Sequence, residues 1–272
     1  MTRWVEIHRG TEPLLVCFPH TGSDLPAGDA QGLASPWLAL RDTDWHVDRL
    51  YDFACALGAT TVRTRVSRSI IDCNRDPSGL SLYPGQATTG LCPLTTFDGD
   101  ALYSAQPPGE ADIEKRLQRY FHPYHQAVAE EIARLRATHP WIVLYDAHSI
   151  RSRVPILFEG ELPQFNIGTN GDASCDPRLT ASVAAICAAS GHCHVVNGRF
   201  RGGWTTRHYG QPGSGVHAIQ MELAMRGYLI EPAQPDSDNW PPPWAPAFAR
   251  PMRDTLQAVL KACLEFASEG RS

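Results

Sequence analysis

Two uninterrupted apolar runs, Leu14 to Phe18 (LLVCF) and Ile142 to Tyr145 (IVLY), constrain this chain more than anything else in it. Runs this short without alternation read as strands buried on both faces, and such strands belong to a largely parallel sheet covered by helices on each side. Pro19 stops the first run and His20 follows it; Asp146 and His148 stand where the second ends. Polar residues in these places lie where open α/β sheets put their ligand sites.

The segments between fit that architecture. Apolar Val47, Leu50, Tyr51, Ala54 and Leu57 predict a helix over about 45–57, with Asp44 as a candidate N-cap and Gly58 as its stop. Alternation in 59–66 predicts a strand running into SRSIIDCNRDP. Residues 78–109 are rich in Gly, Pro and Thr and predict a long surface excursion, of the kind that covers sites. A stripe from Ile113 to Leu135 predicts a helix that Pro123 kinks or breaks. A helix over 177–190, strands over 194–197 and 216–223, and a helix over 251–267 complete an α/β fold in a single domain, 1–272. The proline-rich stretch 239–248 is too short to divide it.

Composition excludes several function classes. With 43% hydrophobic and 19% charged residues the chain is neither disordered nor fibrous. A net charge of -5 with scattered arginines argues against a nucleic-acid surface. No stretch reaches the roughly 20 apolar residues of a membrane span. Eight dispersed cysteines without a C-x-x-C pair predict free thiols, and with an N-terminus that lacks a signal-peptide core they predict a cytoplasmic protein.

A hydrolytic metal site needs about three His or carboxylate ligands and an open position. His20 and His148, at matching strand ends, are the leading candidates. Asp146, two residues before His148 in an extended segment, shares its side and could orient the imidazole. The cluster DTDWHVD offers Asp42, Asp44, His46 and Asp48 as a third ligand, with helix capping the competing role for Asp44. His192 and His194 have no pocket-like surroundings and read as structural. Glu222, on a mostly apolar strand, is costly to bury without a partner and suits a general base; a structural salt bridge is the alternative. Arg68, Asn74 and Arg75 can grip a carboxylate or pair with Asp72 and Asp76. Arg201 and His208 lie in a Gly-rich loop able to close over a ligand, although neither P-loop nor G-x-G-x-x-G is present. A serine hydrolase lacks its G-x-S-x-G elbow here.

PHTG (19–22), DTDWH (42–46), SRSIIDCNRDP (67–77), WIVLYDAHSIRS (141–152), GTNGDASCDP (168–177), NGRFRGGWTTRHYG (197–210) and HAIQMELA (217–224) together resemble the N-formylglutamate deformylase (amidohydrolase) family of histidine degradation. That family resembles the zinc carboxypeptidase and aspartoacylase group, which implies a mixed, mostly parallel sheet flanked by helices, of the zinc-exopeptidase (phosphorylase/hydrolase-like) type. Its relatives use His-x-x-Glu, but here Ser23 follows His20 by three. The resemblance points to Asp44 as the acidic ligand, with His46 and Asp48 as alternatives. It implies zinc or another divalent metal on His20, Asp44 and His148, with Glu222 as the base. Arg75 would stabilise the oxyanion or hold a carboxylate, aided by Asn74 or His208. The expected substrate is a small anionic N-acyl amino acid, N-formyl-L-glutamate first. A related metal-dependent acylase or exopeptidase is the second reading, and a non-catalytic binder of acidic amino acids the third.

Overall fold

The structure, a computed structural model, describes residues 4–270. Its centre is a seven-stranded mixed sheet in the order β1 (Val5–His8), β3 (Thr60–Thr64), β2 (Leu14–Phe18), β4 (Ile142–Ile150), β7 (Val216–Ala224), β5 (Phe165–Gly168), β6 (His194–Val196). β3, β2, β4 and β7 run parallel, while β1 and β5 are antiparallel to their neighbours β3 and β7. The C-terminal ends of β2, β4 and β7 therefore open on one edge, where ligands of such sheets bind.

Every residue of β2, β4 and β7 is buried, which explains the absence of alternation in β2 and in the first half of β4. Successive side chains serve opposite faces. Leu14, Val16, Phe18, Tyr145 and Ile219 join one core with α2 (Val47–Leu50), α5 (Pro177–Ala189) and α7 (Pro246–Glu269). Leu15, Cys17, Leu144 and Ala218 join the other with α3 (Glu110–Arg116) and α4 (His122–Arg136). Each such aliphatic side chain, fully buried, contributes roughly 1.5–3 kcal/mol, so the central strands form a stiff platform. All eight cysteines are free thiols.

Several boundaries differ from expectation for physical reasons. The helix expected over 45–57 is only α2 followed by a tight turn at Asp52–Ala54. Its N-cap is His46 in the left-handed region at φ 62°, without a side-chain cap bond. Asp44 is not the cap because its carboxylate is engaged elsewhere. Pro123 does not break its helix: the helical path is continuous from α3 into α4, and a wide π turn over Leu117–Phe121 immediately before the proline accommodates its missing N–H. α7 starts at Pro246, five residues before the expected start, and Pro251 lies inside it. β4 runs on through Asp146 and His148 to Ile150, so those two stand within the strand rather than beyond it. Short β1, β5, α1 (Pro36–Leu40) and α6 (Trp204–Tyr209) were not evident from periodicity. As expected, 78–109 forms no helix or strand. Among the described residues no helix is long and apolar enough to cross a membrane.

Candidate active site

The strand ends bring three donors together. His20 leaves β2, His148 stands in β4, and Asp44 lies before α2, its backbone N–H bonded to His20 O at 3.0 Å. One ligand atom from each lies within 4.8 Å of the others, and all three residues are buried. His20 Nδ1 is 3.1 Å from His148 Nδ1 and 3.6 Å from Asp44 Oδ2, and His148 Nδ1 is 3.2 Å from Asp44 Oδ2. His46 instead meets Pro242 O and Asp48 pairs with Arg63, so neither reaches the histidines. Asp42 accepts the Phe97 N–H at 2.7 Å and pairs with Arg151. Burial, relieved in part by Arg151, raises its carboxyl to about 6.

The outward nitrogens of the two imidazoles each face a carboxylate. His20 Nε2 lies 2.7 Å from Asp72 Oδ1, and His148 Nε2 lies 3.0 Å from Asp146 Oδ2 and 2.9 Å from Asn74 Nδ2. The tautomer in which the carboxylate accepts the Nε2–H turns a bare Nδ1 inward. Two facing lone pairs repel unless a cation or proton lies between them. Donors on a tetrahedral ion at zinc–nitrogen distances are about 3.3 Å apart, and the observed triangle fits that spacing. Charge agrees: Asp44, Asp72 and Asp146 outnumber Arg68 and Arg75 around the two imidazoles, an acidic setting that suits a cation. Burial would raise Asp44, but the charges and hydrogen bonds of His20 and His148 hold it well below the ordinary carboxylate range. Against its own burial, His148 is held well above the usual imidazole value, chiefly by Asp146.

Glu222 pairs in register with His148 on the neighbouring parallel strand, so both present to the same face. Among the described residues its side-chain hydrogen-bond partner is Gln220, whose Nε2 donates to Oε2 at 3.3 Å while Gln220 Oε1 accepts the Gly203 N–H at 2.7 Å. Burial raises Glu222 to about 8, against the lowering charge of His148. This is a carboxyl able to take and return a proton near neutral pH.

Asn74 braces the centre. Its Nδ2 donates to Asp146 Oδ2 at 3.0 Å, its backbone N–H to Asp72 Oδ1 at 2.8 Å, and its Oδ1 accepts the Thr205 N–H at 2.8 Å. Gly203 permits this approach, since a Cβ there would stand 2.4 Å from Asn74 Nδ2. Arg68 is consumed by Asp72 and Asp44, at 2.8 and 3.3 Å, and covers the ring of Phe97. Arg75 is tied to Thr89 O and Oγ1 at 2.9 and 3.2 Å.

His20, Arg68, Asn74, Arg75, His148, Gln220 and Glu222 line one cavity, whose other walls are Tyr83, Thr88, Thr89 and Phe97 of the long excursion together with Arg199 and Phe200. Of the residues expected to meet substrate, Asn74, Arg68 and Arg75 line it. Arg201 and His208 do not: Arg201 borders a separate outer depression with Arg207, and exposed His208 stacks on Trp204 at 4.0 Å. Sequence reasoning missed Asp72 as the partner of His20, Gln220 beside Glu222, and Arg199. Asp72 was within reach, because it precedes the Asn-Arg pair by two and three positions. Arg199 gave no signal apart from its glycine-rich loop.

Buried imidazoles turned toward one point, and a proton acceptor one register step away, are arranged to work on water, which makes this α/β protein a hydrolase. Comparison with known proteins gives the family. A model of the N-formylglutamate amidohydrolase family matches residues 12–229, and the chain belongs to that family. It is 47% identical over 268 residues to the N-formylglutamate deformylase of Pseudomonas aeruginosa, covering 97% of this chain and 96% of that one. To the Pseudomonas putida N-formylglutamate deformylase it is 42% identical over 272 residues, covering 99% and 98%. The solved N-formylglutamate amidohydrolase of Ralstonia eutropha JMP134 shares the fold, with a TM-score of 0.76 at 22% identity, covering 98% of this chain and 99% of that one.

Proposed function

We propose that the protein hydrolyses N-formyl-L-glutamate to formate and L-glutamate, with a divalent ion held by His20, Asp44 and His148 and with Glu222 as general base. The carrying observation is the inward Nδ1–Nδ1–Oδ2 triangle with Glu222 in register beside His148. Kinship to two full-length N-formylglutamate deformylases supports the substrate. A zinc ion, or another divalent metal, bound by this donor set supplies a Lewis acid and acidifies water.

The residues of the chain do the rest. Glu222 takes a proton as the water oxygen bonds to the formyl carbon, which becomes tetrahedral. Arg75, at the cavity wall beside Asp72, meets the developing negative charge or the neighbouring carboxylate, and Asn74 keeps the floor in register. The proton on Glu222 then passes to the amide nitrogen as the C–N bond breaks, releasing formate and glutamate. The excursion 78–109 limits water above the cavity. The activity places the protein in histidine degradation, and eight free thiols suit the cytoplasm.

Parallel assays of N-formyl-, N-acetyl- and N-succinyl-L-glutamate and N-formyl-L-aspartate test the substrate. N-formyl-L-glutamate is expected to have the highest kcat/KM; preference for another acyl group would reject the assignment.

A further inference from the structure

Arg199 stands apart from the other guanidiniums of the cavity. Arg68 holds two carboxylates and Arg75 lies 3.8 Å from Asp72, whereas Arg199 has no carboxylate partner among the described residues. Its Nε donates to Leu157 O at 2.8 Å and its Nη2 to Ala87 O at 2.5 Å. Its guanidinium lies over the rings of Tyr83 and Phe200, with centroids at 5.5 and 5.3 Å. Backbone carbonyls and aromatic faces fix a cation in place but supply no full negative charge. The group is half-buried, and desolvation lowers its pKa, with Arg75 adding to that and Tyr83 and Glu222 opposing it. A positioned, partly desolvated cation that bonds no carboxylate, and that the charge of Glu222 reaches only through space, is suited to a ligand's carboxylate.

Two carboxylates of a dicarboxylic amino acid compete for that place. The α-carboxylate carbon is two bonds from the scissile nitrogen, and the side-chain carboxylate carbon of glutamate is four. Arg75 adjoins Asp72, which itself holds His20, so it lies beside the reacting centre. Arg199 makes no bond to that network and is anchored instead to the loop carbonyls of Leu157 and Ala87. The geometry points to Arg199 as the counter-ion of the substrate's side-chain carboxylate, the residue that selects a dicarboxylic over a neutral amino acid.

The inference rests on the proposed deformylase reading, so it is tested by binding as well as turnover. Wild type is expected to favour N-formyl-L-glutamate over N-formyl-L-glutamine. In Arg199→Met the ratio of their kcat/KM values falls about 10- to 100-fold, the range of a lost charged hydrogen bond, mostly through KM. Arg199→Lys retains part of the preference. An equal loss on both substrates would show a purely structural role and overturn the inference. So would a collapse in discrimination against N-formyl-L-isoglutamine, whose α-carboxylate is the blocked one, with the glutamine ratio unchanged. If wild type hydrolyses neither substrate, the deformylase reading fails, and calorimetric binding of L-glutamate against L-glutamine decides for Arg199. A preference lost in Arg199→Met supports it; a preference retained rejects it.

Discussion

The floor of the cavity and its roof are built on opposite principles. The floor comes from the ends of β2, β4 and β7, fully buried strands in which each functional side chain is held by a partner that is itself held: His20 by Asp72, His148 by Asp146, and Asp72 and Asp146 by Asn74. The roof comes from 78–109 and the loop around Arg199. Its aromatic and cationic side chains are pinned mainly to backbone carbonyls, as Tyr83 is to Gly202 and Arg199 to Leu157. Chemistry that needs fixed distances stands on the sheet, and selection of the substrate stands on loops. Damage to the floor should therefore lower kcat, and damage to the roof should raise KM.

The largest break is expected at Glu222. Glu222→Gln should lower kcat about 10²- to 10⁴-fold while ligand binding persists, measured by initial rates and by calorimetry with L-glutamate. Asp72→Asn comes next. It leaves an amide oxygen to accept the His20 Nε2–H but removes the negative charge that makes the imidazole a stronger donor to metal, and should weaken metal affinity or activity about 10- to 100-fold in a chelator competition assay. Gly203→Ala forces Asn74 or the α6 entry aside and should cost about 1–3 kcal/mol in urea unfolding, with lower activity because Asn74 and Gln220 both bond through this point.

pH sharpens the same contrast. Burial raises the Glu222 carboxyl from 4.5 to about 8, so the folded metal-free protein holds a proton there that the unfolded chain has lost. Stability from this group is therefore present below 4.5 and lost as pH rises through about 8. Glu222→Gln should then stabilise the metal-free protein more at pH 9 than at pH 5 by thermal unfolding, and a bound divalent cation should draw the Glu222 titration downward. The smallest effect belongs to the roof. Thr89→Val removes one of the bonds to Arg75 and should lower kcat/KM about fivefold, the consequence of losing about 1 kcal/mol.

The floor was the more legible region in the sequence for the same reason that it is rigid. LLVCF and IVLY announce buried strands, and residues at the ends of parallel strands must share an edge, so His20 and His148 could be paired before any coordinates. Asp146 was readable from the two-residue period. Asp44 was harder, because a carboxylate before a short helix reads equally as a cap; what distinguishes it is its reach to Ser149 N–H and the histidines, a contact 105 residues away. Glu222 was legible as a costly buried charge, but its register with His148 was not. In the roof no period exists to read: the path of a 32-residue excursion is set by scattered contacts such as the Tyr83 hydroxyl on Gly202 O, so the sequence pointed to Arg201 and His208 and passed over Arg199.

The central claim, that the floor is a metal-binding centre on which hydrolysis depends, is tested most directly by metal content and deformylase rate measured together. Purified wild type stripped with a chelator should lose activity and regain it on adding one equivalent of divalent metal per chain, and Asp44→Ala should neither retain that equivalent nor recover the rate. Full N-formyl-L-glutamate hydrolysis by rigorously metal-free wild type would contradict it.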